Sequence, residues 1–184
     1  MKTKFILHGG SSIGKTDEDN SKFYAEILKD APEKAKILLV CFAKDDDRIP
    51  DATTRVMAEL NKNKRQKEIT FEIANKESFL EQIKSSDVIY FHGGKTLKLL
   101  EALKEFPDFR NLFDGKIVAG ESAGANVWGR YFYSPSADSI GEGLGYLPIK
   151  IIPHYIEQYE GKLDGVGKDL AELDLSEYEY KVFN

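Results

Sequence analysis

Five short apolar runs, each followed by a stretch that either coils or turns sharply, constrain the fold of this chain more than any other feature. They fall at residues 5–8, 36–42, 69–73, 87–92 and 116–120. The run at 36–42 is almost continuously apolar, as expected for a strand covered on both sheet faces. Between the runs, residues 20–28, 49–61, 76–84 and 96–106 carry apolar side chains at helical spacing, as Phe23, Tyr24, Ile27 and Leu28 do. Strand–helix alternation of this kind predicts an α/β fold, a mostly parallel central sheet with helices on both faces. Ligands of such sheets bind beyond the carboxyl ends of the strands. Gly9-Gly10, the loop at 44–47, Gly93-Gly94 and Ser122 all follow strands, so one rim should carry them together. After Trp128 the pattern changes: 130–135, 140–147 and 149–153 read as a hairpin or short strands. The polar stretch 157–184 reads as irregular, with one short helix near 168–173.

At 184 residues the chain is expected to form a single domain spanning 1–184. A chain of this size buries about 70% of its unfolded surface without a staple or a metal. Its 26 basic and 31 acidic residues give a formal charge of −5, which argues against a nucleic-acid partner. Cys41 is the only cysteine, so neither an intrachain disulfide nor a cysteine-rich zinc site is expected, and its apolar surroundings predict a buried strand residue. No stretch reaches the roughly 18 apolar residues of a membrane span, and residues 1–7 are too short for a signal segment. A cytoplasmic protein without metal or cofactor is the expectation; the sequence is silent on oligomeric state.

The strand at 116–120 runs directly into Gly120-Glu121-Ser122-Ala123-Gly124. A strand that ends in Gly-x-Ser-x-Gly is the sequence form of a nucleophile elbow, a tight strand-to-helix turn that pushes the serine Oγ out of the sheet. A nucleophilic serine needs a base, and the base needs an orienting group. Of the three histidines, His154 follows the serine and ends a strand at 149–153; His8 and His92 also close strands at the same rim. For the acid, Asp138 lies between serine and histidine, with Glu142 as competitor. An oxyanion hole would combine the Ala123 N–H with that of Gly93 or Gly94. Gly10, Glu121, Asn126, Glu142 and Tyr155 flank these positions and are the candidates for contacting substrate.

Residues 9–16 also match Gly-x4-Gly-Lys-Thr after a strand. Asp17-Glu18-Asp19 follow at once, and three carboxylates would repel a triphosphate. We therefore read this stretch as a loop. Asp45-Asp46-Asp47 lacks the ordered spacing of a cation site and reads as solvated.

Taken together, Gly9-Gly10, Gly93-Gly94-Lys95-Thr96, Gly-x-Ser-Ala-Gly-Ala-Asn at 120–126 and Pro153-His154-Tyr155 resemble the peptidase E (alpha-aspartyl dipeptidase) family of serine peptidases. The resemblance covers roughly residues 4 to 155. It implies a flavodoxin-like three-layer sandwich of the class I glutamine amidotransferase type. It further implies Ser122 as nucleophile, His154 as base, an acid about where Asp138 falls, and an oxyanion hole from Gly93 or Gly94 with Ala123. The chain departs from the family at 92–96, where a third glycine and an asparagine are missing, and at 156–174, which contains no arginine. The expected activity is hydrolysis of short peptides through an acyl-enzyme, without strict Asp-X specificity. Glu121, read as a charge at the rim, points to neutral or basic peptide ends. A small serine esterase and an inactive binding domain are the alternatives.

Overall fold

The computed structural model describes residues 2–11 and 18–184. Most of the Gly-x4-Gly-Lys-Thr match, and the first of the three carboxylates after it, lie outside the described residues. The alternation read from the sequence appears as β1 (Lys4–His8), α1 (Glu18–Lys29), β2 (Lys34–Val40), α2 (Ile49–Asn63), β3 (Glu68–Ile73), α3 (Phe79–Ser85), β4 (Val88–Phe91), α4 (Thr96–Lys104), β5 (Ile117–Glu121) and α5 (Ala123–Asn126). Then come β6 (Tyr131–Ser134), β7 (Ser139–Glu142), β8 (Ile149–Pro153), β9 (Ala171–Leu175) and β10 (Tyr180–Phe183).

The main sheet has the order β10-β1-β5-β4-β2-β3 and is parallel except for β10. Period-two alternation divides its side chains between two cores. Ile6, Ile37, Leu39, Tyr90 and Ala119 meet Phe23, Tyr24 and Ile27 of α1 and Val56 and Leu60 of α2. Leu7, Leu38, Val40, Phe91 and Val118 face the opposite way, onto α3, α4 and α5. This is the three-layer arrangement that the sequence suggested. Trp128, fully buried, centres the second core with Phe5, Phe91, Phe113 and Tyr146 around its ring.

A second sheet, β7-β6-β8-β9, packs beside the first, and its β6–β7 hairpin corresponds to the change of pattern after Trp128. The helix expected near 168–173 is corrected: β9 begins at Ala171 and pairs parallel with β8. Leu173 and Leu175 alternate with polar residues, and in a strand this puts both leucines on one face. β10, also unexpected, pairs antiparallel with β1 in the register Ile6↔Val182 and His8↔Tyr180. No helix among the described residues is long and apolar enough to cross a membrane.

Candidate active site

Ser122 stands between β5 and α5 with φ 50° and ψ −110°, backbone that a non-glycine residue rarely adopts. Three backbone bonds hold it there. Its N–H donates to the His8 carbonyl (2.9 Å), and its own carbonyl accepts from Ala125 and Asn126 (2.9 Å each). A Cβ on Gly120 would collide with the Gly124 carbonyl, and one on Gly124 with the Phe91 carbonyl. The two glycines of the motif are therefore steric requirements of the elbow.

His154 arrives from the end of β8. Its N–H donates to the Gly9 carbonyl (2.8 Å), and its φ of 52° turns the ring back over the β1 loop. Gly10, at φ +100°, lies under that ring, in space a Cβ could not share. Nε2 of His154 is 3.0 Å from Ser122 Oγ. On the other side of the ring, Nδ1 is 3.1 Å from Oε1 of Glu177. Glu177 sits in the turn between β9 and β10, which is tied to the same loop. Tyr178 N–H donates to the Gly10 carbonyl (2.9 Å), and Gly9 N–H to the Glu179 carbonyl (2.9 Å).

Asp138 is corrected. Its carboxylate accepts from the Tyr133 hydroxyl (2.6 Å) and from Lys162 (3.1 Å), and these partners hold its pKa below the usual carboxylate range. Glu142, the competitor, is an exposed strand residue whose nearest cation is Arg130 at 4.0 Å. The carboxylate at His154 therefore follows the histidine in sequence rather than preceding it. Sequence reading missed Glu177 because it lies in a polar stretch, Asp174-Leu175-Ser176-Glu177-Tyr178-Glu179. The available signal was the alternation on either side of it, at 171–175 and 180–183, which marks two strands and a turn.

Glu121 is also corrected. It points away from the rim and is buried, with its carboxylate 3.8 Å from His92 Nδ1 and accepting a long 3.4 Å bond from the Gly93 N–H. It cannot act as an exposed charge, and the preference for basic or neutral ends that rested on it loses that support. Gly93 is likewise turned toward Glu121, which leaves Gly94 and Ala123 as the oxyanion donors to consider. His8 and His92 are fully buried on the α1–α2 side. His8 Nδ1 accepts from Gly10 N–H (3.0 Å). Burial pushes both imidazoles down, to about 4, against the opposing pull of Glu121. At neutral pH they are uncharged rings. Asn126 is buried too, its amide donating to Thr96 Oγ1 (3.1 Å), so it ties α5 to α4 instead of facing the rim. Tyr155 packs partly buried beside Tyr133, Ile152 and Leu163. Cys41 is buried, as expected, and desolvation raises its thiol pKa to about 11. Among the described residues no group of three or more His, Cys, Asp or Glu is arranged to hold a metal ion.

The model of peptidase family S51 matches residues 5–172. The chain belongs to peptidase family S51. By that membership it is a peptidase of the serine hydrolase class. Solved structures share its fold, two of them peptidases by their descriptions. A peptidase from an acI-B1 Actinobacterium is 20% identical with a TM-score of 0.70, covering all of this chain and 84% of the other. A candidate peptidase E protein from Listeria monocytogenes EGD-e is 15% identical with a TM-score of 0.68, covering 100% of this chain and 98% of that one. No curated protein matches.

Proposed function

We propose that this S51 peptidase hydrolyses short peptides through an acyl-enzyme on Ser122, with His154 as general base and Glu177 as the orienting acid. The observation that carries the reading is the continuous line Ser122 Oγ–His154 Nε2–His154 Nδ1–Glu177 Oε1, with links of 3.0 and 3.1 Å. Oγ attacks the peptide carbonyl carbon while its proton passes to Nε2. The C–N bond then breaks as Nε2 returns that proton to the leaving amine. In the second half, Nε2 takes a proton from water, the hydroxide attacks the acyl carbonyl, and Oγ leaves with the proton. Glu177 keeps the ring in the tautomer with its lone pair on Nε2 and stabilises the imidazolium. The N–H groups of Gly94 and Ala123 receive the oxyanion.

Strict Asp-X specificity is not part of this proposal. The segment 156–174 offers no arginine, and Lys162 within it is engaged by Asp138. The test is steady-state hydrolysis of a dipeptide and tripeptide panel. Ser122→Ala and His154→Ala should each lower kcat by roughly 10⁶-fold, and Glu177→Gln by roughly 10⁴-fold. Asp138→Asn should retain nearly full activity. An Asp138→Asn loss equal to that of Glu177→Gln would contradict the assignment of the acid.

A further inference from the structure

We infer that the cleft between α4 and the β6–β7 hairpin is the acyl-side specificity pocket and that it takes a large apolar side chain. This rests on the peptidase reading of Ser122 and names the substrate class of that site: short peptides with an aromatic or branched aliphatic residue just before the scissile bond.

The order of strands places the two halves of a substrate. β5, which ends at Glu121 directly before Ser122, lies between β1 and β4. His154 is on the β1 side, its ring over Gly10; the Gly93-Gly94 turn follows β4 on the other side. A leaving amine must reach Nε2 to collect its proton, so the departing half of a substrate lies toward β1. The carbonyl oxygen points to the oxyanion donors. The acyl half is left with the direction away from His154, toward β4 and the start of α4.

A cleft of about 370 Å³ opens there. It begins at Gly94, whose neighbour Gly93 is so close to the serine that an added Cβ would lie 3.3 Å from Ser122 Cβ. Phe132, Leu97, Ile140 and Ala137 line it. Leu97 is 65% exposed and Ile140 46%, two of the four large apolar side chains that the described surface leaves open. Exposed apolar residues converging on one concave site are the usual form of a recognition pocket. The cations at its edge are committed elsewhere. Lys95 pairs with Asp45 at 2.8 Å, and Lys98 donates to the Lys44 carbonyl and lies 3.3 Å from the same carboxylate. Glu101 adds a negative charge to the lining, and no arginine is among the described lining residues. Phe or Leu would exchange water for apolar contact with these four side chains, whereas an acidic side chain would have to draw Lys95 or Lys98 from Asp45 or settle for the lining hydroxyls of Thr96, Ser134, Ser136 and Ser139.

The experiment measures kcat/KM for Phe-Ala, Leu-Ala, Ala-Ala and Asp-Ala. Phe-Ala and Leu-Ala should exceed the other two by at least about tenfold, the usual range for filling an apolar pocket. That preference should collapse in Leu97→Asp and Ile140→Asp, surface changes that leave the core intact. Equal rates for all four peptides, or a preference that survives both substitutions, would overturn the assignment. Binding of Phe-Ala to Ser122→Ala, followed through the methyl resonances of Leu97 and Ile140, separates this claim from the hydrolytic one. Perturbed methyls with no turnover by the intact enzyme would uphold apolar side-chain binding at this cleft and sink the hydrolytic reading. Turnover with unperturbed methyls would sink the pocket alone, and the absence of both would sink it as well. If sedimentation instead finds a dimer that Leu97→Asp dissociates without altering peptide preference, the patch is an interface between copies and the pocket assignment is wrong.

Discussion

At the scale of single residues, the site depends on backbone conformations that most side chains avoid. Ser122 and His154 both hold positive φ, at 50° and 52°. Such conformations cost on the order of 1–3 kcal/mol each, and surrounding structure must enforce them. Here the enforcement is visible in the bonds from Ser122 to His8, Ala125 and Asn126 and from His154 to Gly9. Gly10 adds a purely spatial condition, because the imidazole occupies the volume of its missing Cβ. Gly10→Ala should therefore displace His154 and lower kcat by about 10²-fold, the typical effect of moving a catalytic group by an ångström. Steady-state kinetics beside a denaturation curve checks this: a folded variant with unchanged kcat would contradict it. The serine was legible in the sequence because its strand-and-glycine context is local. So was His154, at the end of a recognisable strand.

At the scale of elements, the carboxylate depends on β10. Glu177 belongs to a turn whose position is set by the pairing of β10 with β1 and of β9 with β8. Val182 pairs opposite Ile6 and packs on the α1–α2 core. Val182→Asp should cost about 1–3 kcal/mol by placing a charge where it is only partly solvated. It should also lower kcat more than it changes KM, since the loosened turn carries Glu177. Urea titration together with Michaelis kinetics tests both parts, and an unaltered kcat in a destabilised protein would go against the link. The parallel strands and their helices were readable from apolar periodicity because burial on both faces writes itself into composition. β9 and β10 were not. In β9 polar residues alternate with leucines and most of the strand stays exposed, so neither strand forms an apolar run. Asp138 misled for a related reason. Position between Ser122 and His154 says nothing about which carboxylate the fold delivers to the ring.

At the scale of the whole molecule, a buried polar group sits behind Ser122, with His8, His92 and Glu121 closing the ends of β1, β4 and β5. Burial lowers both histidines to about 4, whereas in the unfolded chain they titrate near 6.5. The linkage sign follows from proton binding. Above about pH 6.5 neither state binds a proton at these sites, and stability does not depend on them. Between about 6.5 and 4 the unfolded chain takes up protons that the native protein refuses, so stability falls as the pH falls, by roughly 1.4 kcal/mol per pH unit for each histidine. Chemical denaturation between pH 7 and 4.5 measures this slope, and a flat profile would contradict it. The proposed reactive line is likewise drawn from distant parts of the chain, from the residues just after β5 and β8 and from the β9–β10 turn. We propose that this assembly activates Ser122. Labelling of the intact protein with a fluorophosphonate probe, read by mass spectrometry, tests it most directly. One adduct is expected, on Ser122, lost in His154→Ala and strongly slowed in Glu177→Gln. No adduct on the wild type, even with a probe small enough for the cleft, or labelling indifferent to His154, would contradict it.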